Sequence, residues 1–243
     1  MKIAGIIPAR YASSRLPAKA LADIGGKSMI QRVYEQASQC GELCDLVVAT
    51  DHEEIYETVN RFGKAVMTSA KHQSGTDRCA EALKHLDQAV DFVINIQGDE
   101  PFIQSAQIAL LTSVLHPDTE LATLVKKIDS EEVLFNPNTP KVLLNERSEA
   151  IYFSRSTIPY IRGLEQSEWL GSYTFYKHIG IYAYRADILE KITRLPPSRL
   201  ELAEQLEQLR WIENGYKIKV AITHIESMGV DTPDDLEKAR KMI

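Results

Sequence analysis

The chain has 243 residues, 28 basic against 34 acidic side chains, a formal net charge of -6, and 44% hydrophobic and 26% charged residues. That length buries a sizeable core without a metal or disulfide staple. The acidic balance argues against general nucleic-acid or membrane-surface binding and leaves room for a local anion site. Cys40, Cys44 and Cys79 form an odd set without Cys/His metal spacing. They predict free thiols and a reducing, cytoplasmic setting. The opening MKIAGIIPAR has too short an apolar run for a signal peptide, and no segment approaches a membrane span.

In chain order, residues 2–7 read as an apolar strand that runs into IIPARYASSRLPAKAL (6–21). This stretch carries Arg10, Arg15 and Lys19 before the first acidic residue, Asp23. A helix over 28–38 follows, with Met29, Ile30, Val33, Tyr34 and Ala37 on one side, then a strand at 45–49, a helix at 52–62 stopped by Gly63, and a strand at 65–68. A helix at 76–86, a strand at 91–96 and a helix at 105–115 complete the alternation. Strand, loop and helix in repetition predict an α/β fold with a mainly parallel sheet covered on both faces. After residue 121 the spacing changes: strands at 121–127, 141–144, 150–153 and 178–184 lack long helices between them and predict a mixed or antiparallel region. Residues 162–177 read as a polar, aromatic-bearing excursion, a candidate lid or contact surface. Helices at 186–193 and 198–214, a strand at 217–222 and a helix from Pro233 close the chain as one domain.

In open α/β sheets ligands sit beyond the carboxyl ends of the strands, and three loops there carry chemistry. The first is 6–21, which lacks the GxGxxG of a dinucleotide fold. It offers small residues for close backbone approach and three cations suited to a polyphosphate. The second, Gln97-Gly98-Asp99-Glu100-Pro101, places a carboxylate where Mg²⁺ could be held with substrate phosphates. The third contains Asp231-Thr232-Pro233-Asp234-Asp235. Helix capping accounts for Thr232, Pro233 and Asp235 and leaves Asp231 as a spare carboxylate, able to join Asp99 if the loops meet. Ser74-Gly75-Thr76-Asp77-Arg78 starts a helix and reads equally as an N-cap or an anion or base contact. Physics singles out neither His178 nor the polar residues of 198–214.

The segments IIPARYASSRLPAKAL, VVATDHEEI, SGTDR, INIQGDEPFI, YFSRSTIP, KHIGIYAYR, LEQLR and GVDTPDDLEKAR span residues 3 to 240. Together they resemble the CMP-Kdo synthetase (3-deoxy-manno-octulosonate cytidylyltransferase) family. The resemblance implies a three-layer α/β/α, nucleotide-diphospho-sugar-transferase-like (Rossmann-like) fold with a mainly parallel mixed sheet. It implies a single domain in which 1–120 and 215–243 mainly bind nucleotide, while 121–214 mainly bind sugar and form a homodimer. It implies Mg²⁺-dependent transfer of CMP from CTP to Kdo, releasing pyrophosphate, in lipopolysaccharide synthesis. By the same resemblance Arg10, Ser13, Arg15, Lys19, Ser74, Gly75, Arg78 and Gln97 contact the nucleotide. Lys19, Arg15, Asp99 and Asp231 act in catalysis, with Asp99 and Asp231 holding the metal. Arg155, His178, Glu207 and Gln208 bind the sugar. The chain departs from the family in having Ala18 and Ala20 where Gly and Pro are usual. A cytidylyltransferase for 8-amino-Kdo or sialic acid is the nearest alternative. A metal-dependent glycosyltransferase would more often show D-x-D, and a non-enzymatic nucleotide-binding module would not need Asp231.

Overall fold

The run Ile3–Ala9 consists of apolar and small residues, and it forms the central strand β1 with Ile6 and Ile7 both wholly buried, one under each face of the sheet. The computed structural model describes residues 1–12, 16–226 and 228–243. After β1 come the small hairpin β2 (Asp23–Ile24) and β3 (Lys27–Ser28), α1 (Met29–Ala37), β4 (Asp45–Thr50), α2 (Glu53–Val59), β5 (Ala65–Met67), α3 (Gly75–Leu83), β6 (Phe92–Asn95) and α4 (Ser105–Thr112). The second half holds β7 (Leu121–Lys127), α5 (Glu131–Phe135), β8 (Lys141–Leu144), β9 (Ala150–Ser154), α6 (Trp169–Ser172), β10 (Tyr176–Arg185), α7 (Ala186–Ile192), α8 (Arg199–Glu204), α9 (Gln208–Glu213), β11 (Ile218–Thr223) and α10 (Pro233–Lys241).

The main sheet runs β11-β7-β10-β6-β1-β4-β5, with the β8–β9 hairpin joined to β10. β4, β1, β5 and β6 pair in parallel, as do β7 and β11, whereas β10 lies antiparallel between β6 and β7. One face is covered by α1, α2 and α4, whose Ile30, Val33, Ile55, Val59, Ile108 and Leu111 pack with Ile7. The other is covered by α3, α7 and α9 through Cys79, Ile188, Leu189 and Trp211 around Ile6. This is the expected three-layer arrangement. A smaller core of Ile24, Met29, Val230, Leu236 and Ala239 docks α10 beside the β2–β3 hairpin. That docking carries the end of the chain back to its beginning.

Two expectations need correction. The helix expected over 198–214 is two helices, because Gln205 takes a left-handed conformation (φ 53°). Leu206 and Leu209 are buried behind the break, while Leu202 before it is left 60% exposed. The excursion 162–177 is not merely a polar surface: Trp169 and Phe175 are buried and make a satellite core with Ile128 and Leu134. The β2–β3 hairpin and α5 have strands and turns too short for periodicity to register.

Candidate active site

Three loops far apart in sequence meet beyond the carboxyl ends of β1 and β6. Lys19 starts a 3₁₀ turn (Lys19–Leu21) preceded by Ala18 in a left-handed conformation (φ 51°, ψ 31°). That geometry suits glycine, the residue usual in the resembling family, and costs a β-carbon-bearing residue about 1 kcal/mol. Gly98 lets the loop after β6 lie against the end of β1, since a Cβ there would stand 2.8 Å from the Pro8 carbonyl oxygen. The loop before α10 is tied to it by a Val230 N–H donating to the Asp99 carbonyl at 2.9 Å. Thr232 and Asp235 form the expected capping box at the head of α10, which fixes the orientation of Asp231 just before it.

The Lys19 ammonium lies 2.6 Å from Asp99 Oδ2 and 3.0 Å from Asp231 Oδ1. The three side chains are 17%, 31% and 45% exposed, so the pair of carboxylates faces the open cleft. Burial acts to lower the Lys19 pKa, but the charge and hydrogen bond of Asp99, joined by those of Asp231, outweigh it and hold the ammonium above its ordinary value. Among the described residues no group of three or more His, Cys, Asp or Glu side chains could cage a metal. Two converging carboxylates already gripping a cation are nonetheless a fit for a hard divalent ion that completes its shell with phosphate oxygens and water.

These groups line a cleft of about 420 Å³ together with Arg10, Ser74, Gly75, Arg78 and Gln97. Every described member of the expected nucleotide set is therefore in one place. Ser13 and Arg15 lie outside the described residues. α3 starts at the cleft with a capping box between Ser74 and Asp77, so N-cap and cleft wall are the same residue. Arg78 is 3% exposed, and its guanidinium donates to Thr68 Oγ1 at 2.7 Å and Asp51 Oδ2 at 2.8 Å. Asp51 was not singled out by the sequence reading. It follows β4 as a carboxylate at a strand's carboxyl end, the same signal that drew notice to Asp99. His52, next to it, stacks on Tyr11 with ring centroids 3.8 Å apart, bracing the chain where it leaves β1.

The expected sugar set does not line this cleft. It lies along β10, α9 and the end of β9, joined to the cleft side by hydrogen bonds from Gln97 and from the start of α3. Gln97 Nε2 donates to the Gly180 carbonyl at 2.8 Å, at a bulge where the β7–β10 register shifts. Thr76 Oγ1 donates to Glu207 Oε2 at 2.8 Å. Burial pushes the Glu207 carboxyl above its ordinary value against the opposing hydrogen bonds from Thr76 and Ser74. His178 is half-buried, its ring set against Phe153 and Tyr182, and burial pushes its pKa down to about 3. The single Thr123 hydroxyl proton is directed at the Ile181 carbonyl, 2.7 Å away, so the neutral His178 donates from Nε2 to Thr123 Oγ1 at 3.0 Å. Gln208 Nε2, Trp211 Nε1 and Tyr182 Oη are buried with no hydrogen-bond partner among the described residues. Arg155 stands apart from the other three. Its guanidinium donates to the carbonyls of Glu204 (2.6 Å), Pro137 (3.1 Å) and Gln205 (3.3 Å), and so clamps the turn between α8 and α9.

A family model described as "Cytidylyltransferase" matches residues 4–218. A 3-deoxy-manno-octulosonate cytidylyltransferase of Cytophaga hutchinsonii is 59% identical over 97% of this chain and 95% of its own length. A solved structure of CMP:2-keto-3-deoxy-manno-octonic acid synthetase complexed with CTP superposes with a TM-score of 0.92 at 43% identity, covering 100% of this chain and 98% of the other. A putative glucose-1-phosphate thymidylyltransferase from Bacillus anthracis, at 17% identity and a TM-score of 0.66 over 99% of this chain and 94% of its own, shares the fold.

Proposed function

Since this chain belongs to the 3-deoxy-manno-octulosonate cytidylyltransferase family, we propose that it transfers CMP from CTP to 3-deoxy-D-manno-octulosonate (Kdo), giving CMP-Kdo and pyrophosphate. The observation that carries this reading is the meeting of Lys19, Asp99 and Asp231 from three loops at the mouth of one cleft. The anomeric hydroxyl at C2 of Kdo attacks the α-phosphorus of CTP and loses its proton. The bond from that phosphorus to the bridging oxygen breaks, and pyrophosphate leaves. Such a transfer depends on alignment and charge neutralisation. Mg²⁺ held by Asp99 and Asp231 would neutralise phosphate charge and lower the pKa of the attacking hydroxyl.

The chain's own residues supply the rest. Arg10 and Lys19 hold the triphosphate, and the resemblance of the segment 6–21 assigns Ser13 and Arg15 to the same task. Ser74, Gly75, Arg78 and Gln97 frame the cytidine. His178, Glu207 and Gln208 face the sugar. The unpartnered donors of Gln208 and Trp211 and the hydroxyl of Tyr182 support a polyhydroxylated ligand there, because buried polar groups without partners cost about 1–3 kcal/mol each. Arg155 holds the turn that presents Glu207 and Gln208, and the second N–H of each terminal guanidinium nitrogen is its means of reaching the sugar carboxylate.

The product would feed lipopolysaccharide synthesis from the cytoplasm. Among the described residues, no helix is long and apolar enough to cross a membrane. A homodimer through 121–214 is supported by exposed Ile151 on β9 and exposed Leu202 on α8; light scattering at two protein concentrations tests it. The activity is tested by pyrophosphate release with CTP, Mg²⁺ and Kdo, 8-amino-Kdo or sialic acid in turn. Release with Kdo is expected. No release with any sugar overturns the reading, and equal release with UTP or ATP overturns the cytosine pocket.

A further inference from the structure

Lys19 places its ammonium at the one point that Asp99 Oδ2 and Asp231 Oδ1 share, 2.6 and 3.0 Å away. A divalent ion coordinated by these carboxylates, at about 2.1 Å for Mg²⁺, would take the same oxygens or the second oxygen of each, and either choice brings it within a few ångströms of the ammonium. An ammonium and a divalent ion cannot both sit there. Their repulsion at such separations is large wherever the dielectric is below that of water. Lys19 is 17% exposed, so it cannot simply give up two carboxylates for bulk solvent. It can give them up for another anion within reach of its own side chain, and the cleft it lines is where the triphosphate is proposed to lie.

We infer that Lys19 and the divalent metal compete for Asp99 and Asp231, and that Lys19 yields the carboxylates only when a nucleotide triphosphate offers its ammonium a replacement. The inference rests on the proposed metal site. It assigns Lys19 a role before the reaction, as a place-holding cation that keeps two facing carboxylates from repelling each other, distinct from its role on the phosphates. By linkage, nucleotide must then raise metal affinity, and metal must raise nucleotide affinity by the same factor.

Mn²⁺ binding followed by electron paramagnetic resonance on the whole protein tests this without turnover. In the absence of nucleotide, Lys19→Met, which keeps side-chain length and removes the charge, should bind Mn²⁺ about tenfold tighter than wild type or more. Adding Asp99→Asn to Lys19→Met should abolish that gain. Lys19→Gln serves as a second uncharged variant should the methionine protein fold poorly, with circular dichroism as the check on folding. Equal Mn²⁺ affinity in wild type and both uncharged variants overturns the competition. Mn²⁺ binding is also measured with CTP present, in wild type and in Asp99→Asn. If Asp99→Asn leaves that binding intact, the metal site itself is wrong and the inference falls with it. If Asp99→Asn removes it while Lys19→Met changes nothing without nucleotide, the metal site stands and only the competition fails.

Discussion

At the carboxyl ends of β1 and β6, charged side chains meet in an open cleft: Lys19, Asp99, Asp231 and Arg10 come from loops and reach solvent. Along β10 and α9, His178, Tyr182, Glu207, Gln208 and Trp211 sit among aromatic rings, and two of them have strongly displaced protonation. In the first region the charges are compensated by one another, so chemistry can exchange partners there at little structural cost. In the second, burial holds side chains in one protonation state and one orientation, which suits recognition of a neutral, hydroxyl-rich surface. Ser74 and Thr76 on Glu207, and Gln97 on Gly180, join the two.

Substitutions separate the two regions. Asp99→Asn and Asp231→Asn should each lower turnover by roughly 10²–10³ while the melting temperature stays near wild type, because a single well-placed charge contributes several kcal/mol to such a transition state. Pyrophosphate release at saturating Mg²⁺ measures this, and near-wild-type turnover would move the metal elsewhere. His178→Gln should act on acid stability. With the folded pKa near 3 against an ordinary 6.5, the unfolded chain takes up the proton first, so wild type loses stability as pH falls from 6.5 toward 3. The substituted protein escapes this loss, a difference of roughly 2 kcal/mol by pH 5. Urea unfolding of both proteins at pH 7 and pH 5 reads it, and parallel losses would mean that His178 is not held neutral.

Asp51→Asn probes the wall of the cleft through Arg78. The KM for CTP should rise about tenfold with kcat changed less than about threefold, as expected for lost ground-state positioning worth about 1.4 kcal/mol. A fall in kcat alone would place the Asp51–Arg78 pair in the chemistry instead. The smallest effect belongs to Ala18→Gly. Relief of the left-handed strain exceeds the added freedom of the unfolded chain by a few tenths of a kcal/mol, so the melting temperature should rise by about 1–2 °C. A fall would show that Ala18 is packed in a way its backbone angles do not reveal.

Much of the open region was legible because its signals are local. A carboxylate just past a strand, a run of cations without acids, and a Thr-Pro-x-Asp cap each declare themselves within a few residues. Asp51, just past β4, carries the same local signal. The buried region was not legible. Glu207 and Gln208 look like solvated residues on a long helix until Gln205 breaks it. That break is held by Arg155, whose hydrogen bonds join residues about 50 positions apart. Tyr182 and Trp211 carry no local signal that separates them from ordinary core residues.

What the amino-acid order determined alone is the alternation of strands and helices, the cationic character of 6–21 and the position of Asp231 just outside the helix cap. These follow from side-chain periodicity, charge and capping, all of which act over a turn or two of chain. Only the tertiary structure decided that Asp231 meets Lys19 across 212 residues. The physical reason is the packing of Val230, Leu236 and Ala239 against Ile24 and Met29, which draws α10 back to the first loop. The cationic opening stretch thus acquires its partners from a hydrophobic contact that no local pattern announces.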